Sequence, residues 1–257
     1  MSAEAAAISS AALGRATKAL VCVLAAAVTL AAWLWLKGEA GPHGHSAILM
    51  PGAHGGGAGA FLAAVLMAQV MTIAMMTPTF LRWLLVFAGL APSGGERLAR
   101  LQRVASLTAG YLAAWLGYSL VVAAMQQVLA AAGWLEHGRL SSAAGGALLI
   151  LAGAFQLAPV KRACLAHCRN PLSFFLARWR GGFGGGFRLG AVHGAYCMGC
   201  CWLLMALLFV AGVMNLLWIA LLAGAILVEK VLPVGRQAAS VAGVLMIAGG
   251  LWMLVRT

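Results

Sequence analysis

The chain has 257 residues, 63% of them hydrophobic and 9% charged, whereas a soluble domain carries roughly 25% charged residues. A water-facing surface cannot be built from this composition. The net charge of +12 would point to nucleic acid in a soluble protein, but in a membrane protein it must first be read by its position along the chain.

Several apolar runs reach the roughly 18 residues needed to cross a hydrocarbon core of about 30 Å as a helix, and none alternates in polarity as barrel strands do. The expected fold class is therefore all-α, a polytopic transmembrane helical bundle of about seven spans. The first run, Ala19 to Leu36, follows Arg15 and Lys18. It exceeds the 7–15 apolar residues of a secretory signal and reads as an uncleaved anchor. Together with the Gly- and His-rich loop that follows, it sets residues 1–57 apart from a membrane domain over 58–257. His43, His45 and His54 in that loop suit either a solvated connector or a surface metal site.

The second span is expected from Ala58 to Leu81. It carries Met67, Met71, Met75 and Met76, followed by Thr77-Pro78-Thr79. A methionine stripe of this kind is either packing or a set of thioether donors. Pro78 removes one backbone hydrogen bond and frees a carbonyl, which a membrane tolerates where another group compensates. The apolar stretch from Trp83 to Ala91 is either a helix lying on the membrane or an extension of the second span.

The third and fourth spans are expected at Val104 to Ala131 and Leu140 to Val160. Beyond the fourth lies Cys164-Leu-Ala-His167-Cys168, whose two cysteines stand one turn apart if the helix continues. The loop from Lys161 to Arg188 mixes Phe174, Phe175 and Trp179 with arginines, as in a segment lying among headgroups. It ends in a glycine run, 181–186, that lacks the Lys-Ser/Thr of a phosphate-binding loop and reads as a flexible connector.

The fifth span, Leu189 to Ala211, contains His193-Gly-Ala-Tyr-Cys197-Met-Gly-Cys200-Cys201. At 3.6 residues per turn, His193, Cys197, Cys200 and Cys201 fall on one stripe, so a single helix can present nitrogen and sulfur donors to one site. Soft thiolate and thioether ligands select Cu(I), zinc or iron–sulfur centres, while imidazole suits zinc, copper, iron and nickel. Buried cysteine is also an ordinary small hydrophobe. The sixth and seventh spans are expected at Met214 to Val228 and Ala238 to Val255. Near the end of the sixth, Glu229 stands beside Lys230 as either an interfacial anchor or a functional carboxylate.

With the N-terminus in the cytoplasm, all of the 17 Lys and Arg except Lys37, Arg139 and Arg256 fall on the cytoplasmic side. The positive-inside rule then gives N-terminus in and C-terminus out. The basic charge is assigned to topology and to anionic lipid, leaving no nucleic-acid role. The same parity gathers Cys164, Cys168, His193, Cys197, Cys200, Met71, Met75 and Glu229 toward one membrane face.

The residues from Gln156 through Lys161, Cys164 and Cys168-Arg-Asn-Pro171, then His193 to Trp202, Gly212 to Trp218, and Glu229-Lys230-Val-Leu-Pro233 resemble an uncharacterised bacterial family of predicted metal-binding integral membrane proteins. Met75-Met76-Thr77-Pro78-Thr79 resembles that family's second-span element, and the likeness covers about residues 60 to 255. It implies a bacterial inner-membrane location and a metal site.

The expected function is binding of a soft or borderline ion, copper first, with zinc, nickel or iron as alternatives, for transport or for delivery to a metalloenzyme. His193, Cys197, Cys200 and Cys201 are the expected primary ligands, with Met71 and Met75 as thioethers, Glu229 as a compensating charge, and Cys164 and Cys168 at the mouth. Two other readings stay open. One is a thiol–disulfide redox protein using Cys197/Cys200 and Cys164/Cys168. The other is a structural or assembly subunit of a larger membrane complex.

Overall fold

The computed structural model describes residues 3–40, 57–90, 97–136, 139–178 and 182–256. His43, His45 and His54, together with Trp179 and Gly181, lie outside the described residues. In chain order the elements are α1 (Ala3–Glu39), α2 (Ala58–Leu90), α3 (Arg97–Ala131), a minimal β1–β2 hairpin (Leu135–Glu136 and Arg139–Leu140), α4 (Ser142–Leu157), α5 (Pro159–Arg169), α6 (Pro171–Arg178), α7 (Gly182–Ala206), α8 (Leu208–Ala211), α9 (Leu216–Val231) and α10 (Gly235–Val255).

Pro78 lies inside α2 without ending it, so Trp83 and the apolar residues after it extend the second span rather than forming a separate surface helix. Proline cannot donate to the carbonyl four residues earlier, which is that of Ala74. The indole Nε1 of Trp33 on α1 donates to that carbonyl at 3.2 Å. The proline and the tryptophan are thus two halves of one contact, and together they dock α1 on α2.

Glycine governs the two closest helix pairings, as expected where backbones approach without a hydrophobic driving force between helices. Gly186, Gly190 and Gly194 recur every fourth residue on α7. A Cβ on Gly190 would collide with the Leu107 carbonyl and one on Gly194 with Ala114, both on α3. Because positions rise together on both partners, α3 and α7 run parallel. Gly146 and Gly153 on α4 meet Gly250 and Gly243 on α10, a pairing that runs antiparallel.

Among the described residues, five helices are long and apolar enough to cross a membrane: Arg15–Glu39, Ala58–Gly89, Leu98–Ala131, Gly182–Ala211 and Gly235–Val255. The pair Ser142–Leu157 and Pro159–Arg169, bent by 63°, makes a sixth only if the two helices count as one broken span. The count is therefore five to six rather than seven. The expected sixth span falls short, and the fourth reaches the length only with its bent continuation. Helix α9 has 16 residues, about 24 Å at 1.5 Å per residue, against a hydrocarbon thickness of about 30 Å. It still returns the chain antiparallel to α7: Trp218 Nε1 donates to Leu207 O, and Lys230, three turns later, reaches Cys197 and Cys201. Asn215 begins this helix by accepting from Trp218 N at 3.1 Å, an N-cap rather than an interhelical bond.

Two further expectations change. The glycine run is not a connector, because residues 182–186 form the first turn of α7, and its Gly186 lies against Ser106 of α3. The segment after Lys161 folds into α5 and α6, and Phe174 and Phe175 are buried rather than set among headgroups. They meet Trp83 edge-on, each at 5.1 Å between centroids. These two short helices cover the end of the bundle against which the candidate site lies.

Candidate metal centre

The stripe on α7 faces protein. His193, Cys197, Cys200 and Cys201 are all buried, while the glycine stripe on the adjoining face packs against α3. The glycines make the site possible as well as the packing, since removing side chains at Gly190 and Gly194 brings α3 close enough for Tyr111 Oη to lie 3.1 Å from Cys197 Sγ. The thiols of Cys200 and Cys201 both point at one acceptor, the Cys197 carbonyl, at 3.0 and 2.9 Å. Cysteines three and four residues after a carbonyl can reach it on a helix, so this gathering is local.

Helix α5 supplies the next sulfur. The 63° bend before Pro159 turns α5 across α7, leaving Cys168 Sγ 3.8 Å from Cys200 Sγ. Cys164, one turn earlier, stays half-buried beside Gly199, where a Cβ would stand 3.3 Å from its sulfur. The two cysteines expected together at the mouth differ in depth: Cys164 is half-buried, whereas Cys168 is buried against Cys200. Trp83 Nε1 holds the end of α5 by donating to Cys168 O at 3.0 Å.

Helix α9 contributes a group that the sequence reading placed at the interface. The buried Lys230 ammonium donates to Cys197 Sγ at 2.9 Å, to Cys201 Sγ at 3.5 Å and to Met76 Sδ at 3.5 Å. Two sulfurs held by one nitrogen are separated by no more than the sum of those distances, so α2 does bring a thioether beside Cys197. It is Met76 rather than Met71 or Met75. Met75 is buried in the core, and Met71 lines a separate cavity.

Glu229 points elsewhere. Successive residues on a helix differ by about 100°, and while Lys230 turns to the sulfurs Glu229 turns to α4 and α5. There its carboxylate accepts from Gln156 Nε2 at 2.7 Å and Lys161 Nζ at 2.6 Å. The carboxylate is bonded at both oxygens, and its ion-pair partner is Lys161 rather than Lys230. This pair joins α9 to the bent α4–α5 unit and so fixes where Lys230 and Cys168 stand.

His193 lies in an aromatic box, stacked on Trp83 with centroids 3.5 Å apart and flanked by Tyr111 and Phe80 at 5.5 and 5.8 Å. Its Nδ1 is buried without a hydrogen-bond partner. Phe174 on α6 closes the box at 6.4 Å.

Sequence reasoning missed Lys230, Tyr111, Trp83 and Met76. A lysine next to a glutamate inside an apolar helix was the available signal for the first, since neighbouring side chains point about 100° apart and meet different partners. Nothing in the spacing connects positions 83 or 111 with the fifth span.

Among the described residues no group of three or more His, Cys, Asp or Glu side chains is arranged to hold a metal ion as it stands. What they form is a sulfur cluster packed around an ammonium, with soft donors from three helices, α2, α5 and α7, and one positive charge from a fourth, α9. No curated protein and no solved structure matches the chain. Residues 65–253 match a family described as PpoB2, copper chaperone, a stretch that contains every residue of the cluster. The chain, with its five to six candidate membrane helices, belongs to the PpoB2 copper chaperone family.

Proposed function

We propose that the protein binds Cu(I) at the sulfur cluster and delivers it to a copper-requiring partner protein, from a bacterial inner membrane in which the N-terminus is cytoplasmic. The observation that carries this reading is the Cys168–Cys200 separation of 3.8 Å across two helices. With metal–sulfur bonds of about 2.3 Å, two ligands of a tetrahedral soft-metal site stand about 3.8 Å apart, and those of a trigonal site about 4.0 Å. The two sulfurs therefore already have the spacing of coordinated ligands. Cys197 is the third ligand, and Cys201 and Met76 border the site.

Each ligand has a distinct part. Cysteine binds as thiolate, so loading releases protons, and the thiol contacts to the Cys197 carbonyl are given up as Cu–S bonds form. Three thiolates on Cu(I) leave two net negative charges in an apolar interior, and the Lys230 ammonium offsets one of them. Cys164, half-buried at the edge, is the first thiol a partner's ligand meets, and it hands the ion on by ligand exchange through Cys168. His193, inside its aromatic box, fixes the wall of the site and holds one nitrogen in reserve. Glu229 acts through Lys161 as a positioning residue. Thiolate and thioether donors suit Cu(I), zinc and iron–sulfur centres alike, and the copper chaperone family is what favours Cu(I) among them.

The test is metal analysis of the purified protein beside Cys168→Ser, Cys197→Ser and Cys200→Ser variants, with free thiols counted in the same samples. Near-stoichiometric copper lost in all three supports the proposal. The thiol–disulfide reading is favoured by the same 3.8 Å approach, and it would show instead as no copper and a reversible Cys168–Cys200 disulfide.

A further inference from the structure

A second group of sulfurs lies beyond the cluster, toward the opposite end of α7. Met67 and Met71 on α2, Met205 on α7 and Met214 in the turn before α9 line one cavity of about 50 Å³, with Tyr118 and Gln126 of α3 completing its polar edge. A water occupies roughly 10–15 Å³ on this measure, so the space admits an ion. Met67, Met71 and Met205 are buried, and Met214 is half-buried beside the exposed Asn215.

The cavity is linked to the cluster by helical spacing. Met205 follows Cys201 by one turn, about 6 Å along α7. On α2, Met71 is followed one turn later by Met75 and Met76, and Met76 Sδ shares the Lys230 ammonium with Cys197. Sulfur thus recurs at each turn on two helices from Met67 to Cys197. Four thioethers without a thiolate or carboxylate among them form a site that discriminates by softness and binds a monovalent ion without proton exchange, because a thioether carries no proton to lose.

We propose that this cavity is a second Cu(I) site, formed by Met67, Met71, Met205 and Met214, which exchanges its ion with the cysteine cluster along the sulfurs between them. The inference rests on the copper-handling reading given above. Transfer breaks Cu–thioether bonds and forms Cu–thiolate bonds while the receiving thiol gives its proton to solvent. The copper stays Cu(I) throughout, and no electron moves.

The experiment is equilibrium loading of the full-length protein in detergent with Ag(I), a redox-inert analogue of Cu(I), at neutral and acidic pH. It compares wild type with a Met67→Leu/Met71→Leu/Met214→Leu variant and a Cys197→Ser/Cys200→Ser variant. Leucine conserves the volume of methionine, and the melting temperature of each variant checks that it remains folded. The expected result is two silver ions per wild-type chain and one per chain for each variant. The ion left in the cysteine variant persists at acidic pH, and the ion left in the methionine variant is released there. A methionine variant that still binds two ions overturns the second site and leaves the cysteine-cluster reading intact. A cysteine variant that keeps both ions overturns that reading while the methionine loss stands, and one pH-sensitive ion in wild type reduces the methionines to packing.

Discussion

Replacing Lys230 by leucine removes the ammonium that faces the sulfurs while keeping most of the side-chain volume. The ammonium lies 2.9 Å from Cys197 Sγ, and one unit of the net negative charge that thiolates leave on a copper centre, spread over its sulfurs with bonds of about 2.3 Å, is centred about 4 Å from it. At that distance and an effective dielectric of about 20, opposite unit charges attract by about 4 kcal/mol. That is close to three powers of ten in affinity. Reorientation of the site recovers part of this, so the expected outcome is Cu(I) binding weakened about 10²- to 10³-fold, with Lys230→Arg retaining most of the wild-type affinity. Competition against a chromophoric Cu(I) chelator under reducing conditions measures the ratio directly. The unfolding temperature of Lys230→Leu should not fall, because the substitution also relieves a buried ammonium of its desolvation cost. Binding that is unchanged or tighter in the leucine variant would falsify the counter-charge role and make Lys230 a plug that copper displaces.

The Lys161–Glu229 pair behaves differently. Glu229→Gln strands a buried ammonium and should destabilise the fold by about 3 kcal/mol while leaving the copper stoichiometry at one in the cysteine cluster, and Lys161→Met added to it should restore part of the lost stability, both read by thermal unfolding in detergent. Trp33→Phe exposes the Ala74 carbonyl freed by Pro78 and should cost about 1–2 kcal/mol; in a Pro78→Ala background, where the backbone N–H returns, the same change should cost much less, and equal costs in the two backgrounds would sever the link between these residues. Gly190→Leu must drive α3 from α7 and with it Tyr111 from Cys197, so loss of the folded protein or of its copper is expected, and a variant with wild-type stability and loading would show that the two helices do not meet there.

How far the sequence could be read depended on whether the determining interaction was local. The α7 stripe was legible because helical periodicity alone puts His193, Cys197, Cys200 and Cys201 along one side of the helix, beside the glycines at 186, 190 and 194 that pack against α3. Cys168 was placed near that stripe by counting spans, and the bend at Pro159 then brought it within 3.8 Å of Cys200. What failed was everything set by pairing across helices. Counting charge by topology treated Lys161 and Lys230 as interfacial, yet both are buried and each satisfies a different partner. Met76 rather than Met75 reaches the cluster, a difference of one residue and about 100° of helix rotation that no periodicity argument resolves. The span count was too high because hydropathy windows register apolar content, whereas α9 is apolar enough but too short.

Helix α5 carries Lys161, Cys164 and Cys168 at intervals of three and four residues, so all three lie along one side of a helix of 11 residues. The ionic latch at one end and the sulfur at the other are therefore in register only at this spacing. Inserting a single residue anywhere between Lys161 and Cys168 turns the far end by about 100° and advances it by about 1.5 Å, swinging Cys168 off Cys200 while the latch stays closed. Deleting a residue does the reverse turn with the same effect. The distance in sequence between a lysine and a cysteine is thereby as much a determinant of this site as the identity of either side chain.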